Sequence, residues 1–314
     1  YVTMGEDKFR FDLESENYQK IADLLDIVGI NYAEDNFALI REKHPHWKIY
    51  GSETASAVSS RGIYYEPAVK DKAITGNPEK PLRKYQTSDY GNDRVGWGKT
   101  ASSVLIFDRN NLDYAGQFIW TGFDYIGEPT PWHNEPETPA KSSYFGIVDT
   151  AGLPKNEYYL YQSQWANPDE KMVHILPHWN WSQEDREITF AQGTDLKRDD
   201  NKIPVRIYSN ANAVELFLNG ESLGEKRFNK KVTSFGREYQ EGQSEDELYL
   251  EWLIPWEAGE LLAVAKDEDS NEVARDEVVT AGVPAAVRLL AETTELDVSC
   301  LLYTSPSPRD ATLS

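Results

Sequence analysis

The sequence predicts an α/β segment followed by an all-β segment, and three observations lead to this fold class. Buried-type strands alternate with helical patterns over about the first 165 residues. These strands end in polar or acidic side chains, as parallel strands do at the carboxyl face of a β/α barrel. From about residue 171, short runs alternate apolar and polar residues between turn signals, which is typical of an antiparallel sandwich.

The α/β segment is predicted to contain three strands. They are expected at 26–32, 47–53 and 114–120. The helical patterns begin at Ser15, Phe37, Trp97 and Lys155. A long irregular connection rich in Pro and Gly is expected over 66–96, and long ordered connections are usually functional. Because a complete barrel has eight strands in about 250 residues, three strands correspond to only part of one.

The second segment is predicted to be an immunoglobulin-like β-sandwich. Its strands are expected around 203–207, 214–218, 248–253, 261–265 and 273–279. The pair Asn219-Gly220 signals a tight turn directly after the second of these strands. The predicted domain bounds are therefore 1–168 for the partial barrel and 169–283 for the sandwich.

Charge and composition exclude several classes of function. The 314 residues include 32 basic and 53 acidic side chains, a net charge of −21, so the chain lacks the basic surface that nucleic acid or anionic lipid requires. A single cysteine excludes a disulfide framework and a Cys-rich zinc site, and the histidines show no spacing typical of a metal site. No apolar run approaches the ~18–20 residues of a membrane span. We therefore expect no cofactor, no metal, no nucleic acid and no membrane span.

The two ends of the chain differ from ordinary domain sequence. The first residues lack the basic and apolar regions of a signal peptide. Residues 284–298 are expected to begin a further domain. The run 299–314 has no helical or strand period and ends in a Ser/Pro cluster, so we expect it to be non-native. It contains the only cysteine, Cys300.

Glu53 is the residue whose position most strongly suggests catalysis, because it ends a buried strand. Retaining glycoside hydrolysis uses one carboxylate as nucleophile and a second carboxyl, about 5–5.5 Å away, as acid. Tyr32 ends the preceding strand, so its hydroxyl could hydrogen-bond the same carboxylate. Trp120 ends the third strand, where an indole could stack on the apolar face of a sugar. From these residues alone, a salt-bridged or capping Glu53 and core positions for both aromatic residues remain open alternatives.

Three long motifs make the pattern specific. They are IVGINYAE at 27–34, GSETAS at 51–56 and GQFIWTGFDYIGEPTP at 116–131. These motifs closely resemble the bacterial β-galactosidase branch of glycoside hydrolase family 2. The same resemblance continues in the motifs SYFGIVD at 143–149, PHWNW at 177–181 and VELFLNG at 214–220. It covers about residues 1–298 and keeps the family's order of motifs.

The resemblance implies a (β/α)8 TIM barrel, of which this chain would hold about strands six to eight, followed by the immunoglobulin-like sandwich. It implies that Glu53 is the catalytic nucleophile, that Tyr32 hydrogen-bonds this nucleophile, and that Trp120 lines the sugar subsite. Further substrate-binding residues are expected at Asn31, Asp124 and Glu128.

The family's general acid is the Glu of an Asn-Glu pair after barrel strand four, and this sequence departs from that pattern. Asn-Glu occurs at 134–135, 156–157 and 271–272, but no pair precedes Tyr32 and none has the matching context. We therefore expect a C-terminal piece of a larger enzyme that is inactive by itself, because losing a general acid commonly costs about 10²–10⁴ in rate. We also expect poor solubility, since an incomplete barrel leaves strand edges unpaired.

The expected substrate is a terminal β-galactoside or an oligosaccharide, and the full-length parent is a possible homo-oligomer. The family's β-glucuronidases carry Asn-x-Lys before a matching Gly-Ile, where this chain has Ser143-Tyr144-Phe145, which disfavours a uronic acid. A family 2 β-glucuronidase or β-mannosidase, and a non-catalytic carbohydrate-binding or scaffold protein, remain alternatives. The parent is expected to be periplasmic or secreted, and a cytoplasmic enzyme remains an alternative.

Overall fold

The computed structural model describes residues 1–64, 86–132, 142–182 and 202–287. The chain divides into two compact units, Tyr1–Thr280 and Ala281–Ser314, and only 281–287 of the second unit are described. The predicted tail at 299–314, most of the predicted further domain at 284–298 and most of the connection at 66–96 therefore lie outside the described residues. Among the described residues, no helix has the length and apolar content needed to cross a bilayer.

The described part contains four α-helices, two short 3-10 helices (Lys8–Arg10 and Glu34–Asn36) and thirteen strands. The helices are α1 (Glu16–Ala22), α2 (Phe37–Lys43), α3 (Ala101–Asn110) and α4 (Asn156–Trp165). The strands of the first segment are β1 (Thr3–Glu6), β2 (Ile27–Asn31), β3 (Ile49–Ala55) and β4 (Tyr114–Trp120). The remaining strands are β5 (Val173–Leu176), β6 (Lys202–Ser209), β7 (Ala213–Leu218), β8 (Glu221–Arg227), β9 (Asn229–Val232), β10 (Glu238–Glu241), β11 (Leu250–Pro255), β12 (Glu260–Lys266) and β13 (Glu272–Val279).

The first segment is a parallel sheet with the strand order β1-β2-β3-β4. The prediction of three strands is wrong, because β1 adds a fourth at the edge. Three of the four residues of β1 are exposed, so the strand shows no apolar pattern that the sequence could reveal. Helices α2, α3 and α4 follow β2, β3 and β4 in the chain, which is the alternation that the sequence predicts.

The two faces of the parallel sheet differ in their packing. Val28 and Ile49 belong to one apolar cluster with Phe37 and Ile40 of α2, so this face is covered by helix. On β2, Gly29 allows a close approach of Ser52, because a Cβ atom at position 29 would lie 2.6 Å from the Ser52 hydroxyl oxygen. The same Cβ atom would lie 2.7 Å from the carbonyl oxygen of Met4 in β1, so a side chain larger than hydrogen at Gly29 would disturb the packing of β2 against both of its neighbours.

The second segment is antiparallel throughout. One sheet has the order β11-β6-β5, another has the order β13-β12-β7-β8, and β9 pairs with β10 as a hairpin. Val205 and Ile207 of the first sheet share an apolar core with Val214 and Leu216 of the second. The coarse prediction of an α/β segment followed by an all-β segment is thus confirmed.

The parallel and antiparallel parts contact each other through a buried polar junction. The hydroxyl of Tyr90, in the loop before α3, donates to the carbonyl of Pro204 at 2.8 Å. Arg206 of β6 donates through Nη1 to the carbonyl of Tyr90 at 3.1 Å and through Nε to Glu251 at 2.9 Å. These hydrogen bonds fix the loop that leads into α3 against the antiparallel sheets.

Candidate active site

Tyr32 and Glu53 meet where β2 and β3 end. The pairing of these strands shifts register after Ile30, so that Asn31 lies opposite Glu53. Tyr32 follows with a φ of 51°, and its amide donates to the carbonyl of Glu53 at 3.0 Å. The hydroxyl of Tyr32 lies 3.1 Å from Oε2 of Glu53 and donates to it. The structure therefore brings together the two residues that the strand order places at one edge.

Ser56 supports this pair and was not predicted from the sequence. Ala55 and Ser56 have φ values of 64° and 58°, so the chain turns sharply as it leaves β3. The turn brings the Ser56 hydroxyl within 2.9 Å of the Tyr32 hydroxyl, to which it donates. Ser56 belongs to the motif GSETAS, and this membership was the only sequence signal for it.

The electrostatic surroundings keep Tyr32 a hydrogen-bond donor. Burial raises the pKa of the Tyr32 phenol far above its usual value, and the neighbouring Glu53 carboxylate raises it further. The Ser56 hydroxyl opposes this effect by donating to Tyr32. Because the raised pKa keeps the proton on the phenol, Tyr32 can act as the hydrogen-bond donor to the Glu53 carboxylate.

Asn31 lies beside this pair in a buried position. The hydroxyl of Ser52 donates to Oδ1 of Asn31 at 2.5 Å, so the side-chain amide is held by the adjacent strand β3. This bond directs the Asn31 side chain and leaves its NH₂ group as the donor it could offer a ligand. The predicted substrate-binding role of Asn31 stays a prediction.

Trp120 ends β4 and lies opposite Ala55 of β3, so it continues the same edge. Its indole is half-buried and packs edge-on against Tyr125, with ring centroids 6.0 Å apart. The Tyr125 hydroxyl donates to Oε2 of Glu128 at 2.6 Å, and the Thr130 hydroxyl donates to Oε1 at 3.1 Å. Glu128 is therefore held in place by its own loop.

Asp124 is engaged inside the protein. Its Oδ2 lies 2.7 Å from Nζ of Lys155, and its Oδ1 accepts the amide of Gly146 at 2.7 Å. Burial raises the pKa of the Asp124 carboxyl, whereas the charge of Lys155 lowers it. These contacts favour a structural role for Asp124, and its predicted contact with a sugar hydroxyl stays a prediction.

The chemistry available at this edge is that of a carboxylate with a fixed hydrogen-bond donor and a flanking indole. Within the described ranges, no group of three or more His, Cys, Asp or Glu side chains is arranged to hold a metal ion. The arrangement could present one free carboxylate oxygen of Glu53 to a ligand while Tyr32 holds the other.

Comparison with known proteins places these residues in a family. A family model described as a domain of unknown function, DUF4982, matches residues 200–274. A curated relative, Beta-galactosidase BoGH2A of Bacteroides ovatus, is 36% identical over 283 residues, which cover 88% of this chain and 28% of the relative. A second, from Formosa agariphila, carries the provisional name beta-glucuronidase and is 39% identical over 259 residues, covering 76% of this chain and 22% of its own length.

A solved structure shows the same likeness in three dimensions. The crystal structure of a beta-glycosidase from Bacteroides vulgatus superimposes with a TM-score of 0.64 and 25% identity, covering 93% of this chain and 38% of that one. The chain thus spans 28% and 22% of the lengths of the two curated relatives. On these relatives and on the motifs around Tyr32 and Glu53, the chain belongs to glycoside hydrolase family 2.

Proposed function

We propose that Glu53 is the catalytic nucleophile of a retaining β-galactosidase to which this chain contributes the nucleophile-bearing part. The hydrogen bond from Tyr32 to Glu53 is the observation that carries the proposal, because it holds one carboxylate oxygen at the end of parallel strands. A protein that only binds sugar has no need of a carboxylate held in this way. The galactosidase name of the Bacteroides ovatus relative supports the substrate class.

We further propose that the chain consists of the last part of a (β/α)8 barrel followed by an immunoglobulin-like sandwich. The four parallel strands β1–β4, with helices following β2, β3 and β4, fit the last four strands of a (β/α)8 barrel. The antiparallel sheets after residue 172 fit an immunoglobulin-like sandwich. Active sites of such barrels lie at the carboxyl ends of the strands, which is where Tyr32, Glu53 and Trp120 are found.

The proposed reaction has two steps. In the first, an oxygen of Glu53 attacks the anomeric carbon, the bond to the leaving oxygen breaks, and a general acid gives that oxygen its proton. In the second, water attacks the anomeric carbon and the ester bond to Glu53 breaks. The general acid of the first step now acts as a base and takes the proton from the water. Tyr32 orients the Glu53 carboxylate for the attack, and Trp120 offers an apolar face to the sugar.

The Asn-Glu pairs of this sequence are poor candidates for the general acid. Glu157 is only 2% exposed in α4, where burial raises the pKa of its carboxyl to about 8. Glu272 of β13 is paired with Arg275 at 2.6 Å in the antiparallel part. The pair at 134–135 lies outside the described residues. We therefore propose that this polypeptide alone does not turn over galactosides, and turnover of a nitrophenyl galactoside that is lost in Glu53→Gln would overturn this.

A β-glucuronidase is the second candidate, supported by the name of the Formosa agariphila relative. A glucuronidase requires a cation that grips the sugar carboxylate, and positions 143–145 provide none. The nearby Lys155 is buried and already engaged by Asp124 and by the carbonyl of Ser59. The local charges therefore favour a neutral sugar such as galactose.

A chimera tests the nucleophile directly. The aligned segment of the Bacteroides ovatus β-galactosidase is replaced by this chain, and the chimera is assayed on nitrophenyl galactoside and glucuronide. We expect galactosidase activity that is lost in Glu53→Ala and returned by azide as an α-galactosyl azide, because azide then attacks from the face that Glu53 occupied. A β-galactosyl azide, or full activity in Glu53→Ala, would assign Glu53 another role. A chimera that prefers the glucuronide would favour the second candidate.

A further inference from the structure

Arg10 lies at the edge of the parallel sheet where Tyr32 is found, and the proposed reaction gives it no role. Strand β1 runs parallel to β2, and its last residue, Glu6, lies opposite Ile30 near the end of β2. The 3-10 helix Lys8–Arg10 begins two residues later and contacts β2. Because neighbouring parallel strands end at one edge of their sheet, this helix lies beside the residues that follow β2.

The backbone of this helix is fixed by the side-chain amide of Asn36. The amide donates to the carbonyl of Phe9 at 2.9 Å and to the carbonyl of Arg10 at 3.1 Å. Asn36 ends the 3-10 helix that starts just after Tyr32. One side chain therefore joins the segment after β1 to the segment after β2. The position of Arg10 relative to Tyr32 is set by backbone contacts as well as by the side chain itself.

The guanidinium of Arg10 lies over two aromatic rings. Its Cζ atom lies 4.2 Å from the ring centroid of Phe11 and 5.7 Å from the ring centroid of Tyr32. Both distances lie within the ~6 Å over which a cation is attracted to the face of a ring. The Arg10 side chain is only 19% exposed, so water screens this attraction only in part.

The hydrogen bonds of Arg10 do not account for this burial. Its Nη2 lies 3.0 Å from Oδ1 of Asp7, but Nε and Nη1 are buried and have no hydrogen-bond partner among the described residues. A buried donor without a partner costs free energy. The contact with the two rings is the stabilising interaction that remains for this part of the guanidinium. Because Nε and Nη1 are shielded from solvent, they are not placed to donate to a substrate.

The charge of Arg10 also acts on the Tyr32 phenol. Burial is the largest influence on the pKa of this phenol and raises it, whereas the nearby guanidinium lowers it to a smaller extent. A cation that makes a phenol more acidic also makes its O–H a stronger hydrogen-bond donor. Arg10 thus favours donation from Tyr32 to the Glu53 carboxylate, without touching that carboxylate itself.

We propose that Arg10 is a positioning residue, whose guanidinium holds the face of the Tyr32 ring so that the hydroxyl stays directed at Glu53. This inference rests on the proposed roles of Tyr32 and Glu53, although the contact between Arg10 and the ring does not depend on them. Arg10 acts through Tyr32 alone. Its effect on rate therefore requires the Tyr32 hydroxyl, whereas its effect on stability requires only the ring.

Urea unfolding of the 314-residue chain tests the contact without an assay of activity. Arg10→Met is measured in the parent, in Tyr32→Phe and in Tyr32→Leu. We expect Arg10→Met to raise the unfolding equilibrium constant at least about two-fold less in Tyr32→Leu than in the parent, because leucine offers no ring face. In Tyr32→Phe the effect should stay close to that in the parent. Equal effects in the parent and in Tyr32→Leu, or loss of the effect in Tyr32→Phe, would overturn the proposal.

Kinetics of the chimera with the Bacteroides ovatus enzyme test the consequence for catalysis. Arg10→Met should lower kcat about three- to ten-fold and leave KM within about two-fold, and Arg10→Lys should restore part of the loss. In a chimera that carries Tyr32→Phe, Arg10→Met should cause no further loss, because the hydroxyl to be positioned is gone. Lys8→Met removes an exposed cation from the same 3-10 helix and should change neither constant.

The kinetic outcomes separate positioning from other roles. An equal loss of kcat with and without the Tyr32 hydroxyl would show that Arg10 only supports the fold, and the proposal would be wrong. A rise in KM at unchanged kcat would place Arg10 in substrate binding and would also refute it. Failure of the proposed function has a different signature: activity persists in Glu53→Ala, while the coupling between Arg10 and the Tyr32 ring remains in urea unfolding.

Discussion

Lys155 and Asp124 form a buried ion pair, with Nζ 2.7 Å from Oδ2 and the lysine only 1% exposed. Lys155 precedes the first residue of α4, and Asp124 lies in the loop after β4. The same ammonium donates to the carbonyls of Ser59 at 2.8 Å and Tyr144 at 3.2 Å. One side chain therefore joins the ends of β3 and β4 to the start of α4.

Lys155→Met is expected to destabilise the chain by about 3–5 kcal/mol, because it leaves the buried Asp124 carboxylate without its counter-charge. Asp124→Asn in the same background should restore part of the loss, since the neutral amide still accepts from Gly146. Urea unfolding of the two single variants and the double variant measures the coupling between them. Additive effects of the two changes would show that the pair contributes no coupling.

Tyr32→Phe should reduce kcat of the chimera by about 10–100-fold, because a hydrogen bond to a charged group contributes about 1.5–3 kcal/mol. Ser56→Ala keeps the contact between Tyr32 and Glu53 and should have a smaller effect. Steady-state kinetics on nitrophenyl galactoside gives both values. A larger loss of activity in Ser56→Ala than in Tyr32→Phe would contradict the inference that Tyr32 acts on Glu53 directly and Ser56 acts only through Tyr32.

Much of the parallel segment could be predicted from local pattern. The helix expected from Phe37 begins there, and β4 has the predicted bounds Tyr114–Trp120. Helix α2 buries Phe37 and Ile40, which lie about one helical turn apart, whereas only Tyr114 of β4 is buried and Phe118 is exposed. Strand β1 could not be found in this way, because it is short and mostly exposed, and its pairing with β2 depends on a distant segment.

The candidate site was predictable only in part. Strand order alone suggests that Tyr32 and Glu53 meet, but the contact of Ser56 requires two consecutive residues with positive φ, which no local pattern signals. The burial of Lys155 could not be predicted from local sequence either, because the Ser59 carbonyl that accepts its hydrogen bond lies 96 residues away in the sequence. A charged residue before a helix normally predicts a solvated position.

Asn219 provides a test of the antiparallel segment. It has a φ of 52°, its Oδ1 accepts from the amide of Glu260 at 2.9 Å, and its Nδ2 donates to Glu257 at 2.9 Å. Asn219→Ala should destabilise the chain by about 1–3 kcal/mol through lost hydrogen bonds and backbone strain. Asn219→Gly removes the same hydrogen bonds, but glycine tolerates positive φ. We therefore expect urea unfolding to show a smaller decrease in the free energy of unfolding for this variant. Equal losses would show that backbone strain contributes nothing at this turn.

The buried carboxyls predict an unusual dependence of stability on pH. Burial raises the pKa of Asp89 to about 7 and that of Glu157 to about 8. In the unfolded chain such groups ionise near pH 4, so between these values the folded state binds more protons than the unfolded state. Stability contributed by these groups is therefore full below about pH 4 and falls as pH rises to 7–8, by up to about 1.4 kcal/mol per pH unit for each group.

Glu157→Gln isolates this effect, because it removes a titrating group while keeping a side chain of similar size. We expect the free energy of unfolding of the variant to fall less steeply than that of the parent chain between pH 5 and 8, as measured by urea unfolding at fixed ionic strength. Glu16→Gln, an exposed carboxylate on α1, should leave the slope unchanged. Parallel curves for Glu157→Gln and the parent would mean that Glu157 is ionised in the folded protein, and its burial would then require a compensating cation such as Lys155.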